Sequence, residues 1–186
     1  PFDIQKIYYS ASVIDRTKFE VMKHMKNGNI GLVSVRQLSG SGLNWNHVLV
    51  SNAIVETCSI SNRTREANYF YPFNLYHEDG LQQTIENNIS NNFSNTISKQ
   101  IACNFLMPLN KPIEQQSLGF MPSKPTQATF LSPDLIERGD LINNFGSRDV
   151  FDYIYAVLHS QTYRTRYAAF LKSDFPRIPL PKGKDI

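Results

Sequence analysis

Arginine and amide side chains near residue 40 are the part of this sequence best suited to reading a nucleic acid. Arg36 and Gln37 end an apolar stretch, and Asn44 and Asn46 follow in the next loop, on either side of Trp45. Arginine pairs in a bidentate way with guanine, and asparagine or glutamine with adenine, on base edges in the DNA major groove. The pattern predicts base-reading side chains here. The alternative is that Trp45 and Arg36 simply cover the core.

A second polar turn and scattered basic residues complete the candidate DNA contacts. Arg63 and Arg65, in the segment NRTR, are further candidates for base reading. The candidates for holding the DNA backbone are Lys23, Lys26, Arg164 and Arg166. Basic side chains on phosphates position a protein on the duplex without reading its sequence. The alternative for helix-surface arginines is that they only keep a face soluble.

Catalytic, metal and nucleotide sites are not indicated. The four histidines form no HxxxH or HExxH pair, and no serine lies in a GxSxG elbow. SGSG at 39–42 lacks both phosphate-loop spacings. Cys58 and Cys103 lack CxxC spacing, which favours reduced, buried thiols in a cytosolic protein. We therefore expect no catalytic residue, metal or cofactor in this chain, no membrane span, and a cytoplasmic location.

Positive charge is concentrated at the two ends of the chain. Residues 1–40 and residues 150–186 each carry six Lys/Arg against three acids, while the middle carries seven bases against ten acids. If the ends come together in the fold, they form one basic face of the kind that binds a duplex. A solvated surface without a special purpose is the alternative.

The first half of the sequence is rich in alternating apolar and polar residues, which predicts strands. IQKIYYSA at 4–11, NIGLVSVRQ at 29–37, WNHVLVSNAIVETCSIS at 45–61 and FYPFNLY at 70–76 are predicted to form an antiparallel meander. DRTKFEVMKHMKNG predicts a helix that Asp15 caps and Gly28 ends.

The second half predicts helices around an irregular excursion. Residues 81–101 carry an apolar residue every four positions, which favours a helix that several asparagines weaken. Residues 108–133 contain five prolines and are predicted to be irregular. Ser147 or Asp149 is expected to cap a helix through VFDYIYAVLHS, and Ser160 a second one through TYRTRYAAFLKS. Three prolines then keep IPLP extended.

Three segments of the sequence resemble a known family. PFDIQKIYYS, NIGLVSVRQ and DVFDYIYAVLHSQTYRTRYAAFLKSDFPRIPLP, in this order, resemble the C-terminal target recognition region of the large Type ISP restriction-modification enzymes and their single-chain relatives. The last segment is the most specific, through FDYIYAVLHS, YRTRYAAFLK and DFPRIPLP, and residues 60–145 match only loosely. Well under half of the chain carries the resemblance.

The resemblance implies a domain that reads a short duplex DNA sequence for a fused N6-adenine methyltransferase and, in many relatives, an ATP-driven translocase and nuclease. The glycine-rich cofactor loop and the NPPY-type tetrapeptide of a methyltransferase are absent from the sequence, so the chain itself is not expected to be an enzyme. S-adenosylmethionine is implied for the parent enzyme, with ATP and magnesium in the relatives that translocate. The implied partners are double-stranded DNA and the methyltransferase domain of the same polypeptide.

We therefore predict an α+β fold with a twisted, mostly antiparallel sheet, packed helices and long irregular loops, similar to a target recognition domain. Residues 1–186 are expected to form a single domain and a fragment of a longer polypeptide. Within it, residues 1–148 would be the sheet-rich reading part, and residues 149–186 a helical packing segment with an exit strand. Two alternatives stay open, a protein-docking module of the same enzyme and an RNA-binding module.

Overall fold

The computed structural model describes residues 6–14, 17–25, 28–38, 44–60, 66–79, 82–106 and 138–183. Helices and antiparallel sheets occur together in these ranges, which confirms the predicted α+β class. The helices and strands, in chain order, are α1 (Phe19–Met22), a 3-10 turn (Lys23–Met25), β1 (Gly31–Val35), β2 (Val48–Ser51), β3 (Asn68–Pro72), β4 (Asn74–Asp79), β5 (Gln82–Asn87), α2 (Asn91–Ile101), β6 (Asn104–Phe105), β7 (Asn144–Phe145), α3 (Ser147–His159), α4 (Gln161–Arg166) and α5 (Ala168–Leu171).

The chain divides into two compact units, each made of two separate stretches of sequence. Unit 1 contains Pro1–Pro72 and Ala156–Ile178, and unit 2 contains Phe73–Tyr155 and Pro179–Ile186. The single domain 1–186 and its division at residue 148 stay predictions. Within the described ranges, no helix is long and apolar enough to cross a membrane.

Unit 1 is built on a three-stranded antiparallel sheet in the order β2-β1-β3. Leu32 on the central strand lies opposite Val50 and Tyr71, and the next residue, Val33, lies opposite Leu49 and Phe70. Because side chains alternate between the two faces of a strand, Val33 and Phe70 share one face and Leu32 and Tyr71 the other. Strand β1 is buried along its whole length, as expected for a strand with neighbours on both sides.

Helix α1 and the 3-10 turn supply the apolar cover of one sheet face. Met22 and Met25 pack in one buried cluster with Val33 and Phe70. Gly31 lies against Phe70 so closely that a Cβ atom at this position would come within 2.3 Å of the Phe70 ring. The absence of a side chain at Gly31 therefore lets Phe70 lie across the central strand.

The C-terminal part of unit 1 consists of α4 and α5. Ser160 Oγ accepts a hydrogen bond from the Tyr163 amide, which confirms the predicted N-cap. The predicted single helix is interrupted at Tyr167, which has φ −106° and ψ 18°. The Leu38 amide donates to the Lys172 carbonyl at 3.0 Å, so the chain after β1 is joined to the end of α5.

Unit 2 combines the antiparallel β4-β5 hairpin, a two-residue parallel β6-β7 pair, helix α2 and the part of helix α3 that ends at Tyr155. Its buried cluster contains Ile97, Ile101, Cys103, Phe145 and Val150. Ser147 or Asp149 was predicted to cap α3. Ser147 is instead the first residue of the helix, and the Asp149 carboxylate accepts from the Gly146 amide at the helix start, at 2.8 Å.

Three predicted segments differ from the structure. Residues 6–11 are not part of a strand, and the Val13 and Ile14 amides instead close a turn on the Ser10 carbonyl. The segment 70–76 belongs to two strands, because β3 ends at Pro72 and β4 begins at Asn74. The segment 81–101 is a helix only in its second half, since β5 pairs with β4 and helix α2 starts after its Ser90 cap.

Some predicted features lie outside the described residues. These are the cap at Asp15 and the irregular excursion at 108–133. Gly28 is described and has φ +73°, the left-handed conformation that glycine adopts at little cost. This conformation fits the predicted role of Gly28 at the end of the first helix.

Candidate nucleic-acid interface

Two cationic and two aromatic side chains form a continuous row in unit 1. The Lys18 Nζ lies 5.5 Å from the centroid of the Tyr69 ring, and the Tyr69 and Phe175 rings meet edge-on with centroids 4.8 Å apart. The Arg36 guanidinium lies over the other aromatic ring, with its Cζ 5.7 Å from the Phe175 centroid. We call these four residues the cation-aromatic row. Positive charge next to aromatic rings is the composition of many nucleic-acid-binding surfaces.

Four different segments bring the row together. Lys18 directly precedes α1, and its amide donates to the Tyr9 hydroxyl at 3.1 Å. Tyr69 lies on β3, Arg36 directly follows β1, and Phe175 follows α5. Because β1 and β3 are paired along their length, the end of β1 and the start of β3 lie side by side. The sheet register therefore brings Arg36 and Tyr69 to the same end of the sheet.

The row continues into a partly exposed face of the sheet. Tyr69 and Tyr71 are 39% and 42% exposed, while Phe70 between them points into the core. Val50 is exposed to a similar extent and shares a register row with Leu32 and Tyr71. Burial, followed by the neighbouring Tyr69, raises the pKa of Tyr71, so its phenol is a neutral hydrogen-bond donor at physiological pH.

Arg36 is held by an acidic partner without being buried. Its Nε donates to Asp174 Oδ1 at 3.2 Å, and the two side chains are 57% and 41% exposed. The Phe175 amide, followed by Arg36, donates to the Asp174 carboxylate and lowers the pKa of this group. Asp174 is therefore ionised at neutral pH, and it fixes one edge of a guanidinium that still faces solvent.

Unit 1 carries the positive charge of the chain. Its residues include twelve Lys/Arg and six Asp/Glu, a formal net charge of +6, whereas unit 2 has seven Lys/Arg and ten Asp/Glu, a net charge of −3. Most of both basic chain ends thus belongs to one compact unit. That they form one basic face stays a prediction. Their combination gives unit 1 the charge that attraction to phosphates requires.

The polar residues around Trp45 are accessible for contact with a nucleic acid. Gln37, Asn44 and Asn46 are exposed, and Trp45 between the two asparagines is buried. Trp45 is therefore a core residue, as the alternative interpretation held. The buried side chain holds the backbone between the two asparagines in place. Their role as base readers stays a prediction.

Arg164 has internal contacts that differ from those of a phosphate-binding residue. Its Nε donates to the Leu158 carbonyl at 2.7 Å, and one terminal nitrogen lies 3.2 Å from His159 Nδ1. The guanidinium also lies over Trp45, with its Cζ 5.8 Å from the ring centroid. These contacts join the end of α3 to α4 and to the chain before β2. These contacts support the structure of unit 1, and the role of Arg164 in holding the DNA backbone stays a prediction.

The other backbone candidates are spread over the unit. Lys23 Nζ pairs with Glu20 Oε2 at 2.6 Å, and Arg166 is exposed with its guanidinium 5.8 Å from the Tyr167 ring. Lys26, Arg63 and Arg65 lie outside the described residues. The phosphate-binding roles of Lys23 and Arg166 stay predictions.

Two histidines of unit 1 differ in exposure, because His47 is buried and His159 is exposed at the end of α3. Burial, with a contribution from Arg164, lowers the pKa of both His47 and His159, so both imidazoles are neutral at pH 7. In the part of the chain that the structure describes, no group of three His, Cys, Asp or Glu side chains could hold a metal ion.

Sequence reasoning missed four of the residues that define this surface. Lys18 lies in the predicted first helix but is not among the candidate DNA contacts, and Asp174 and Phe175 lie in the predicted C-terminal packing segment. Tyr69 was not singled out, although the alternation in NYFYP places Tyr69 and Tyr71 on the face opposite Phe70. That alternation could have identified the tyrosines. No local pattern could have paired Arg36 with Asp174, because the two are brought together only by the fold.

Comparison with known proteins gives one family. The family model described as the Type ISP C-terminal specificity domain matches residues 1–185, which is essentially the whole chain. No curated protein and no solved structure matches the chain. The match extends over the segment 60–145, where the sequence resemblance is loose. The chain therefore belongs to the family of Type ISP C-terminal specificity domains, the part of a restriction-modification enzyme associated with target recognition.

Proposed function

We propose that this chain binds double-stranded DNA and reads a short base sequence for the restriction-modification enzyme to which it belongs. The observation that carries the proposal is the cation-aromatic row, in which Lys18, Tyr69 and Arg36 are exposed and Phe175 is half-buried, on the unit with net charge +6. Membership in the specificity-domain family supports the same function.

The proposed binding has two components. Lys18, with Lys23, Lys26 and Arg166, would neutralise phosphates and give an affinity that falls steeply with salt, with a log-log slope of about −0.9 per phosphate contact. Arg36, Gln37, Asn44 and Asn46, with Arg63 and Arg65, would contact base edges. Each bidentate contact discriminates against a wrong base by about 1–3 kcal/mol, so a few such side chains are sufficient for a short target.

We also propose that the chain is not itself an enzyme. On this account the methyltransferase domain of the parent polypeptide carries out adenine methylation with S-adenosylmethionine, and ATP and magnesium serve a translocase where one is present. The chain contributes the choice of DNA site. Methyl transfer to DNA by the isolated chain would contradict this division of labour.

The experiment is a selection from a randomised duplex pool, performed with the purified chain at low and at near-physiological salt, followed by sequencing of the retained DNA. The expected result is one enriched short motif, with retention that decreases as salt increases. The variant Lys18→Ala should weaken retention of all sequences alike, because phosphate contacts carry no base information. The matched control is Lys99→Ala, an exposed lysine on α2 in unit 2. Retention without any motif would contradict sequence reading.

A protein-docking function is the second candidate, and one observation favours it. Val50 and Tyr71 expose apolar surface on either side of Leu32, in one row across the sheet. A contiguous exposed apolar patch is typical of a protein interface. Docking alone predicts no binding to duplex at low salt, whereas an RNA-binding function predicts a preference for single strands over duplex.

A further inference from the structure

Arg36 is oriented by contacts that occupy one edge and one face of its guanidinium group. Nε donates to Asp174 Oδ1 at 3.2 Å, and the planar group lies over the Phe175 ring. Guanidinium has five N–H donors, of which Nε carries one and the two terminal nitrogens carry four. Within the described ranges, Asp174 is the one hydrogen-bond partner of Arg36. The terminal nitrogens are therefore the part of this group available to a ligand.

The partner of Arg36 is itself fixed by the backbone. The Asp174 amide donates to the Phe170 carbonyl at 3.1 Å, and the Asp174 carboxylate accepts from the Phe175 amide. Two residues further along from Arg36, the Leu38 amide bonds to the Lys172 carbonyl. The strand end that carries Arg36 and the turn that carries Asp174 are thus joined by a backbone bond next to the ion pair. A guanidinium on this support is preorganised, which lowers the entropy lost on binding.

The terminal nitrogens of an arginine match one base in particular. Guanine presents two acceptors, O6 and N7, side by side in the major groove, whereas adenine presents N7 beside the N6 donor. Two parallel N–H donors can bond to both O6 and N7 of guanine. On adenine, one of the two donors would face the N6 donor instead of an acceptor. The donor pattern left at Arg36 is therefore selective for guanine.

We propose that Arg36 reads a guanine in the target of this domain and that Asp174 is the positioning residue that orients it. The inference rests on the proposed DNA-reading function and adds to it one base, one reader and one supporting residue. An ordinary surface ion pair of this geometry contributes little to stability. The effect of Asp174 on base preference can therefore be separated by experiment from an effect on folding.

The test uses the full chain and the motif that the wild type retains from a randomised duplex pool. Arg36→Ala and Arg36→Lys should each lose the preference for guanine at one position, by about tenfold or more, while the other positions of the motif keep theirs. Lysine keeps the charge but not the paired donors, so Arg36→Lys should retain the salt dependence. Asp174→Asn should relax the same position to a smaller extent and leave the melting temperature almost unchanged.

A matched control exists in unit 2. Arg148 Nε pairs with Asp152 Oδ1 at 3.0 Å, and the Arg148 guanidinium lies over Phe151 with its Cζ 5.5 Å from the ring centroid. The same two kinds of contact, to a carboxylate and to an aromatic ring, thus occur at an arginine of the acidic unit, where Asp152 also pairs with Arg138. Arg148→Lys should leave the preference at every position of the motif unchanged.

A base analogue supplies a second readout. Replacing the guanine at the affected position by 7-deazaguanine removes the N7 acceptor, and it should weaken binding of the wild type but not of Arg36→Ala. If the wild type retains a motif that Arg36→Ala and Asp174→Asn leave unchanged, the guanine assignment is overturned and the proposed function stands. If the wild type retains no motif at all, the proposed function fails, and the assignment fails with it.

Discussion

The Tyr69 ring meets the Phe175 ring edge-on, with an interplanar angle of 76°. This contact joins strand β3 to the segment after α5, two parts of unit 1 that are far apart in the sequence. It places the aromatic centre of the row between Lys18 on one side and Arg36 on the other. The ring pair is therefore the structural link between the sheet and the C-terminal segment at the proposed DNA surface.

The aromatic character of Tyr69 should determine its contribution to DNA binding. Tyr69→Ala removes the ring that contacts both Lys18 and Phe175, and it should lower duplex affinity about threefold, a typical value for an exposed cation-π contact. Tyr69→Phe keeps the ring and should bind like the wild type. Fluorescence anisotropy with a labelled duplex measures the change.

Tyr155 provides the control for the Tyr69 variants. It is 37% exposed on α3, close to the value for Tyr69, but it belongs to unit 2. Tyr155→Ala should leave duplex affinity unchanged. Equal losses for Tyr69→Ala and Tyr155→Ala would show that the row has no special part in binding.

Arg164 should matter to folding more than to DNA. Replacing it by alanine removes a charged hydrogen bond to the Leu158 carbonyl and should lower the free energy of unfolding by about 1–3 kcal/mol. Arg166→Ala, at an exposed position on the same helix, should change it by less than about 0.5 kcal/mol. Urea unfolding followed by circular dichroism gives both values. A loss for Arg166→Ala as large as that for Arg164→Ala would contradict the assignment.

The loop before β7 should lose stability in acid. The exposed Asp140 carboxylate accepts from the backbone amides of Asn143, Asn144 and Ile142, and these bonds lower its pKa far below the ordinary value of 3.8. The folded state favours the ionised form of Asp140, so the stability that this carboxylate contributes is fully present above pH 3.8. That stability is lost as the pH falls below this value towards the folded-state pKa.

Asp140→Asn tests this pH dependence. The variant should be less stable than the wild type at neutral pH, and the difference should shrink as the pH falls below 3.8, because protonation removes the charge from the wild type as well. Urea unfolding at a series of pH values measures the difference. A difference that stays constant down to about pH 2 would show that the charge of Asp140 is not involved.

Gly31 should tolerate no side chain while Phe70 is present. Gly31→Ala places a Cβ atom 2.3 Å from the Phe70 ring and 2.9 Å from the Tyr71 carbonyl oxygen, and it should lower the free energy of unfolding by about 1–3 kcal/mol through overpacking. Phe70→Leu in the Gly31→Ala background should recover part of the loss. A double-mutant cycle in which the two changes are additive would contradict a clash between these residues.

The sequence predicts those parts of the fold that local patterns determine. Strand β1, the Ser160 cap of α4 and the amphipathic helix α3 are all present in the structure. Residues 82–87 were predicted to be helical because Ile85 fits a four-residue period. In β5 the same residue is buried opposite Tyr76, so pairing with β4 determines the local structure there.

The candidate surface was only partly predictable, for a different reason. Arg36 could be chosen from its chemistry alone, since arginine at the end of a strand is a suitable base reader. Its partner Asp174 lies in the predicted C-terminal packing segment, and the fold joins the two through the Arg36–Asp174 ion pair and the bond from the Leu38 amide to the Lys172 carbonyl. Arg164 is a candidate for holding phosphates because of its positive charge, but its contacts with Leu158 and Trp45 depend on tertiary structure that no sequence pattern indicates.

Sequence-specific reading of duplex DNA can be measured as the affinity ratio of two duplexes. One duplex carries the motif retained from the randomised pool, the other carries the same bases in scrambled order, and both are titrated with the chain at near-physiological salt. We expect the motif duplex to bind about a thousandfold more tightly, at the lower end of the range for specific DNA-binding proteins. Equal affinity for the two duplexes would contradict sequence-specific reading.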